Sequence, residues 1–85
     1  MNIVVTGSST GIGRALTERL LTAGHRVWGL ARSEQTALAA THPNLFTPVR
    51  CDVSQWNEVE RAAATVSAAV QSVDAVITCA GLQGE

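Results

Sequence analysis

The stretch Thr6-Gly7-Ser8-Ser9-Thr10-Gly11-Ile12-Gly13 decides how the rest of the chain is read. It follows the β-branched run Asn2 to Thr6, which reads as a buried strand bounded by the turn at Gly7. Helical spacing starts directly after it: Ile12, Ala15, Leu16, Leu20 and Ala23 form one apolar stripe, with Arg14, Thr17 and Glu18 on the polar side. The eight residues therefore lie at a strand-to-helix junction. There the first turn of a helix leaves backbone N–H groups without partners and carries partial positive charge, which favours an anion. Gly7 permits a sharp exit from the strand, Gly11 lets the backbone approach a phosphate, and Gly13 lets the helix lie close to the sheet. Ser8, Ser9 and Thr10 add hydroxyl donors. A glycine-rich, solvated turn is the alternative, and the ordered elements on both sides count against it.

Outward from this loop the pattern repeats. Gly24 is placed to end the first helix. Val27-Trp28-Gly29-Leu30 reads as a second short strand, and Ser33-Glu34 opens a short helix that His42-Pro43 must terminate. Leu45 to Arg50 is a third strand. Ser54 is a suitable N-cap for the longest helix, whose early turns carry Glu58 and Glu60 and whose buried face would comprise Val59, Ala62, Ala63, Val66, Ala69, Val70 and Val73. Val73 to Thr78 makes a fourth strand. Strands alternating with helices predict a parallel α/β sheet built from right-handed crossovers.

Composition narrows the function. Eighty-five residues make one domain, and a chain of this size buries only roughly 60 to 65% of its unfolded surface. Hydrophobic residues at 46%, charged residues at 15% and a net charge of -1 describe a globular protein with no basic patch for nucleic acid. No segment reads as a signal peptide or membrane span. Cys51 and Cys79 read as reduced thiols in a cytoplasmic protein, with Cys51 a small buried side chain. His25 and His42 fall in solvated turns without a third ligand for zinc, and Trp28 and Trp56 read as packing or edge-covering residues. All six cationic side chains are Arg, and the chain contains neither Lys nor Tyr. A mechanism that needs an amine or a phenol cannot be run by these residues alone.

The loop is neither G-x-G-x-x-G nor a phosphate loop, which would require a Gly-Lys pair. Thr6 to Gly13 instead resembles the Thr-Gly-x-x-x-Gly-x-Gly signature of the short-chain dehydrogenase/reductase family. Ala31-Arg32-Ser33 after the second strand, Cys51-Asp52-Val53 after the third and Thr78-Cys79-Ala80-Gly81 after the fourth follow in the family's order. The resemblance implies a partial, doubly wound Rossmann-like sheet of four strands in the order 3-2-1-4 with three helices. It implies cofactor contacts at Gly7, Ser9, Thr10, Gly11, Ile12, Gly13, Arg32, Asp52, Val53, Cys79, Ala80 and Gly81. Cys79 stands where the family usually has Asn.

Within that resemblance Arg32 selects the cofactor. A carboxylate after the second strand would bind the ribose hydroxyls of NAD, whereas Arg accommodates the 2′-phosphate of NADP. NADP is therefore expected over NAD, with an exposed strand-end Arg as the alternative. Asp52 is expected to meet the adenine amino group, to cap the long helix, or both. The family's Ser, Tyr and Lys cannot be mapped here. The chain reads as the N-terminal cofactor-binding portion of a reductase, inactive alone. The other possibility is a non-catalytic nucleotide-binding half-domain that associates with itself through the apolar edge of the fourth strand.

Overall fold

The computed structural model describes residues 1–9 and 11–79. The elements run β1 (Asn2–Thr6), α1 (Gly11–Thr22), β2 (Arg26–Ala31), α2 (Thr36–Thr41), β3 (Phe46–Arg50), α3 (Trp56–Ala69) and β4 (Ala75–Thr78). They form one parallel sheet in the order β3-β2-β1-β4. In register, Thr6 lies between Leu30 and Thr78, so the C-terminal ends of the inner strands finish level beside the glycine loop.

Alternation along the strands builds two cores. Ile3, Val5, Val27 and Phe46 face one way and pack with Leu21 of α1, Leu38 of α2 and Cys79. Val4, Trp28 and Leu30 face the other way and pack with Cys51 and with Ala62 and Val66 of α3. Two helices on one face and one on the other are what the reversal from β3 back to β4 beside β1 requires. Trp28, 1% exposed, is the largest side chain buried whole and anchors the α3 side.

Edges explain two residues. Val27 N–H donates to the Leu45 carbonyl and Cys51 N–H to the Ala31 carbonyl. The β2–β3 ladder thus runs through alternate residues that skip Pro48, whose missing N–H falls on the outer edge, where proline is tolerated. At the other edge the Asn2 N–H donates to the Asp74 carboxylate at 2.6 Å and the Asn2 side chain to the Ser72 carbonyl, tying the start of β4 to β1.

The structure corrects several sequence expectations. In α1 the buried positions are Gly13, Thr17 and Leu21, while Ile12 is 57% exposed. Thr17, expected on the polar side, is fully buried because its hydroxyl donates back to the Gly13 carbonyl at 2.7 Å, which satisfies it inside the helix. The short helix opens after Gln35 rather than at Ser33. The long helix opens after Gln55 with no side-chain cap, so Ser54 is not its N-cap; the Ser54 hydroxyl is held by Asp52 instead. Ala63 and Ala69 are exposed, and Trp56, at 73% exposure, neither packs nor covers an edge. β4 starts at Ala75, leaving Val73 outside it.

Candidate nucleotide-binding cleft

The loop after β1 is shaped by backbone geometry that only glycine accepts cheaply. Gly7 has φ +74° and Gly11 φ +57°, both in the left-handed region. Gly7 N–H donates to the Leu30 carbonyl at 2.7 Å, which turns the chain across the end of β2. Gly13 is required by contact instead. A Cβ there would overlap the Gly7 carbonyl oxygen and stand 3.2 Å from the Cys79 Cβ. The glycine loop is therefore wedged between the first turn of α1 and the sheet.

Beside it, Gly7, Ser9, Leu30, Ala31, Arg32, Ser33, Cys51, Asp52, Val53 and Ser54 line a cleft of about 120 Å³. A closed small-molecule site is roughly 300 to 1,000 Å³, so this cleft by itself is smaller than a site that encloses a whole small molecule. Segments after β1, β2 and β3 all reach it, as a sheet with a reversal beside β1 dictates. Five expected residues, Gly7, Ser9, Arg32, Asp52 and Val53, line this one cleft. Gly11, Ile12 and Gly13 form the first turn of α1 next to it. Cys79 does not line the cleft; its side chain is buried behind Gly13 in the α1-side core. Thr10, Ala80 and Gly81 lie outside the described residues.

Ser8 departs from its expected part as a hydroxyl donor to the ligand. It is completely buried, and its hydroxyl donates to the Gln35 side-chain oxygen. Gln35, which bonds Ser8, and Gly29, which makes room for it, lie outside the cleft lining and were not legible from the sequence. The one available signal was Gly29 itself, since glycine inside a strand marks a close approach by another group.

Electrostatics separate the polar residues. Asp52 accepts from both the hydroxyl and the backbone N–H of Ser54, at 2.7 and 3.0 Å. These two bonds, assisted by Arg32, hold the Asp52 carboxyl below its ordinary pKa. Asp52 thus stays an anionic acceptor at the cleft. Its backbone N–H is taken by the Glu58 carboxylate at 2.9 Å, so α3 supports the turn without being capped by it. Burial, followed by Glu58 and Asp52, pushes the Cys51 thiol up, which leaves it an inert protonated side chain.

Because the folded pKa of Asp52 lies below the unfolded one, the stabilisation of this turn is present above the ordinary carboxylate range and is lost as pH falls through the folded value. Ser54→Ala removes the first cause and should raise the Asp52 midpoint in a carboxyl NMR titration. An unchanged midpoint would exclude the hydroxyl as that cause.

Among the described residues no group of His, Cys, Asp and Glu is placed to hold a metal, both cysteines are free, and no helix is long and apolar enough to cross a membrane. Residues 1–85 match the family model for short chain dehydrogenase. The chain is 39% identical over 85 residues to a farnesol dehydrogenase of Aedes aegypti, covering 93% of this chain and 35% of that protein. It is 36% identical to dehydrogenase/reductase SDR family member 11 of Gallus gallus, covering 93% and 34%. A crystallised short-chain dehydrogenase from Streptomyces avermitilis superposes with a TM-score of 0.83 at 34% identity, over 88% of this chain and 29% of that one. The chain thus spans about a third of the length of the curated relatives it matches. With the glycine loop, the strand order and the cleft all in the places this match requires, the chain belongs to the short-chain dehydrogenase family.

Proposed function

We propose that this chain is the NADP(H)-binding segment of an oxidoreductase that transfers hydride between a nicotinamide and a carbonyl or alcohol substrate. Family membership implies a nicotinamide dinucleotide, and the donor set fits one: a side-chain-free approach at Gly7 and Gly11, a hydroxyl at Ser9 and a cation at Arg32. When bound, the dinucleotide supplies the hydride chemistry. The residues of this chain hold it. N–H groups at the start of α1 take the pyrophosphate, Asp52 accepts from the adenine amino group, and Val53, 44% exposed at the cleft, packs on the base. No Lys or Tyr occurs in these 85 residues, so the family's proton-transfer pair is not among them and the segment alone is expected to be inactive.

The observation that carries NADP over NAD is Arg32. It follows Ala31 at the end of β2, where a carboxylate would repel a 2′-phosphate, and it lines the cleft. Tryptophan-fluorescence titration of the chain with NADPH and NADH tests this. NADPH should bind at least about tenfold more tightly, the worth of a charge-assisted contact. Equal affinities, or no binding by a folded sample, would overturn the reading.

The free thiols of Cys51 and Cys79 support a reducing compartment such as the cytoplasm. Among the described residues β4 pairs only with β1, and Val76 on it is 62% exposed; both support self-association of the isolated chain through this edge. Sedimentation should show a concentration-dependent dimer or larger species, and a monomer at every concentration would remove that part.

A further inference from the structure

Two of the three loops that line the cleft carry the phosphate contacts proposed above. The loop after β1 offers backbone N–H groups for the pyrophosphate, and the loop after β2 offers Arg32 with Ser33. Among the described residues a buried link joins them across 27 positions of sequence: the Ser8 hydroxyl donates to the Gln35 side-chain oxygen. The Gln35 side-chain nitrogen in turn donates to the Gly29 carbonyl in the middle of β2, at 2.8 Å. Ser8 is completely buried and Gln35 is 7% exposed. Gln35 stands at the N-cap position of α2, yet its side chain caps nothing and is turned inward to this link. Gly29 makes the room, because a Cβ there would strike the Ser8 hydroxyl and come within 2.6 Å of the Phe46 ring. Neither Ser8 nor Gln35 lines the cleft.

We propose that Gln35 is a positioning residue for cofactor selection, setting the distance between the pyrophosphate loop and the 2′-phosphate site at Arg32 while touching neither group. This rests on the NADP reading given above. A ligand that grips both loops at once gains from their being held in register, since the second contact is then made within an already correct geometry. NADP grips both. NAD, without the 2′-phosphate, draws mainly on the first loop. Breaking the link therefore costs NADP more than NAD, whereas general loosening of the fold costs both alike.

The test uses the full chain with Gln35→Leu, Ser8→Ala and the double variant, titrated with NADP and NAD. For Gln35→Leu the NADP Kd should rise about tenfold and the NAD Kd less than about threefold, the range expected for coupling between two contacts. Ser8→Ala should show the same selectivity. The double variant should be no worse than the weaker single, because one link is lost in each case. Equal losses for both nucleotides, or additive losses, would overturn the proposal. Amide hydrogen exchange at Ser8 and Ser9 separates this from the cofactor reading. If the parent chain prefers neither nucleotide, the NADP assignment falls and the selection role with it, whereas a selective parent whose variants lose both nucleotides alike, with these amides accelerated relative to β1, overturns the selection role and leaves the NADP assignment standing. Unchanged exchange at Ser8 and Ser9 in a folded variant removes the positioning role whatever the nucleotide affinities.

Discussion

Gly13→Val is expected to strip the chain of most of its stability and of its nucleotide site together. A side chain at Gly13 meets backbone: its Cβ would overlap the Gly7 carbonyl oxygen and lie 2.8 Å from the carbonyl carbon. Gly7 cannot withdraw, because its left-handed conformation and its bond to Leu30 place it across the end of β2. The helix must move instead. α1 carries Leu21, with Leu16 and Leu20 beside it, into the core, so the shift opens packing along its length. Overpacking of this kind costs about 3 kcal/mol or more, against a total on the order of 5 to 10 kcal/mol for a domain of this size. Urea denaturation should show the midpoint falling by half or more, and a midpoint near that of the parent would mean that the helix and loop can separate without penalty. Gly24→Ala is the internal comparison. Gly24 has φ +91° but nothing within 4 Å of an added Cβ, so only the backbone preference is lost, about 1 kcal/mol.

Arg32→Asp should reverse the nucleotide preference with little change in stability. The exposed Arg32 follows β2 and makes no contact that the core depends on, and surface substitutions of that kind stay within about 0.5 kcal/mol. At the cleft the change removes the cation expected to face the 2′-phosphate and puts a carboxylate in its place, where it repels that phosphate and can accept from ribose hydroxyls. Losing a charge-assisted contact and adding a repulsion together amount to about 3 kcal/mol, so NADPH should bind on the order of 100-fold more weakly while NADH gains. The site is solvated, so the swing should shrink as ionic strength rises. A preference that moves less than about threefold at low salt would show that Arg32 does not face the 2′-phosphate. The same variant withdraws the help Arg32 gives the Asp52 carboxylate, so the Asp52 midpoint should rise alongside.

Much of the fold was legible because local signals and global topology agree. The β-branched run before Gly7, the small-residue face of α3 around Ala62 and Val66, and the alternation of strands with helices each have one comfortable solution. Element ends were less legible. Ser33 and Ser54 look like helix caps, yet one helix begins after Gln35 and the other after Gln55. A Ser hydroxyl bonds whichever acceptor the turn presents, and for Ser54 that acceptor is Asp52. The apolar stripe of α1 was misplaced for a related reason. Thr17 carries its own acceptor four residues back and can be buried, while Ile12 sits at the exposed end of the helix.

What the sequence by itself determined is the identity of the glycine loop, the strand order it implies and the presence of Arg32 and Asp52 at strand ends. The loop and the two strand-end residues follow from spacing along one chain and from which residues tolerate a left-handed turn, and the strand order from the family resemblance that the loop carries. Tertiary structure alone decided that the Ser8 side chain is buried, that Gln35 ties the loop after β1 to β2, and that the Cys79 side chain is buried behind Gly13. Each of these depends on a contact between residues far apart in sequence, 27 positions for Ser8 and Gln35, and periodicity carries no information about which group will meet which across that distance. Burial assigns those pairs, because a hydroxyl or amide removed from water has to find its partner in whatever the fold brings beside it.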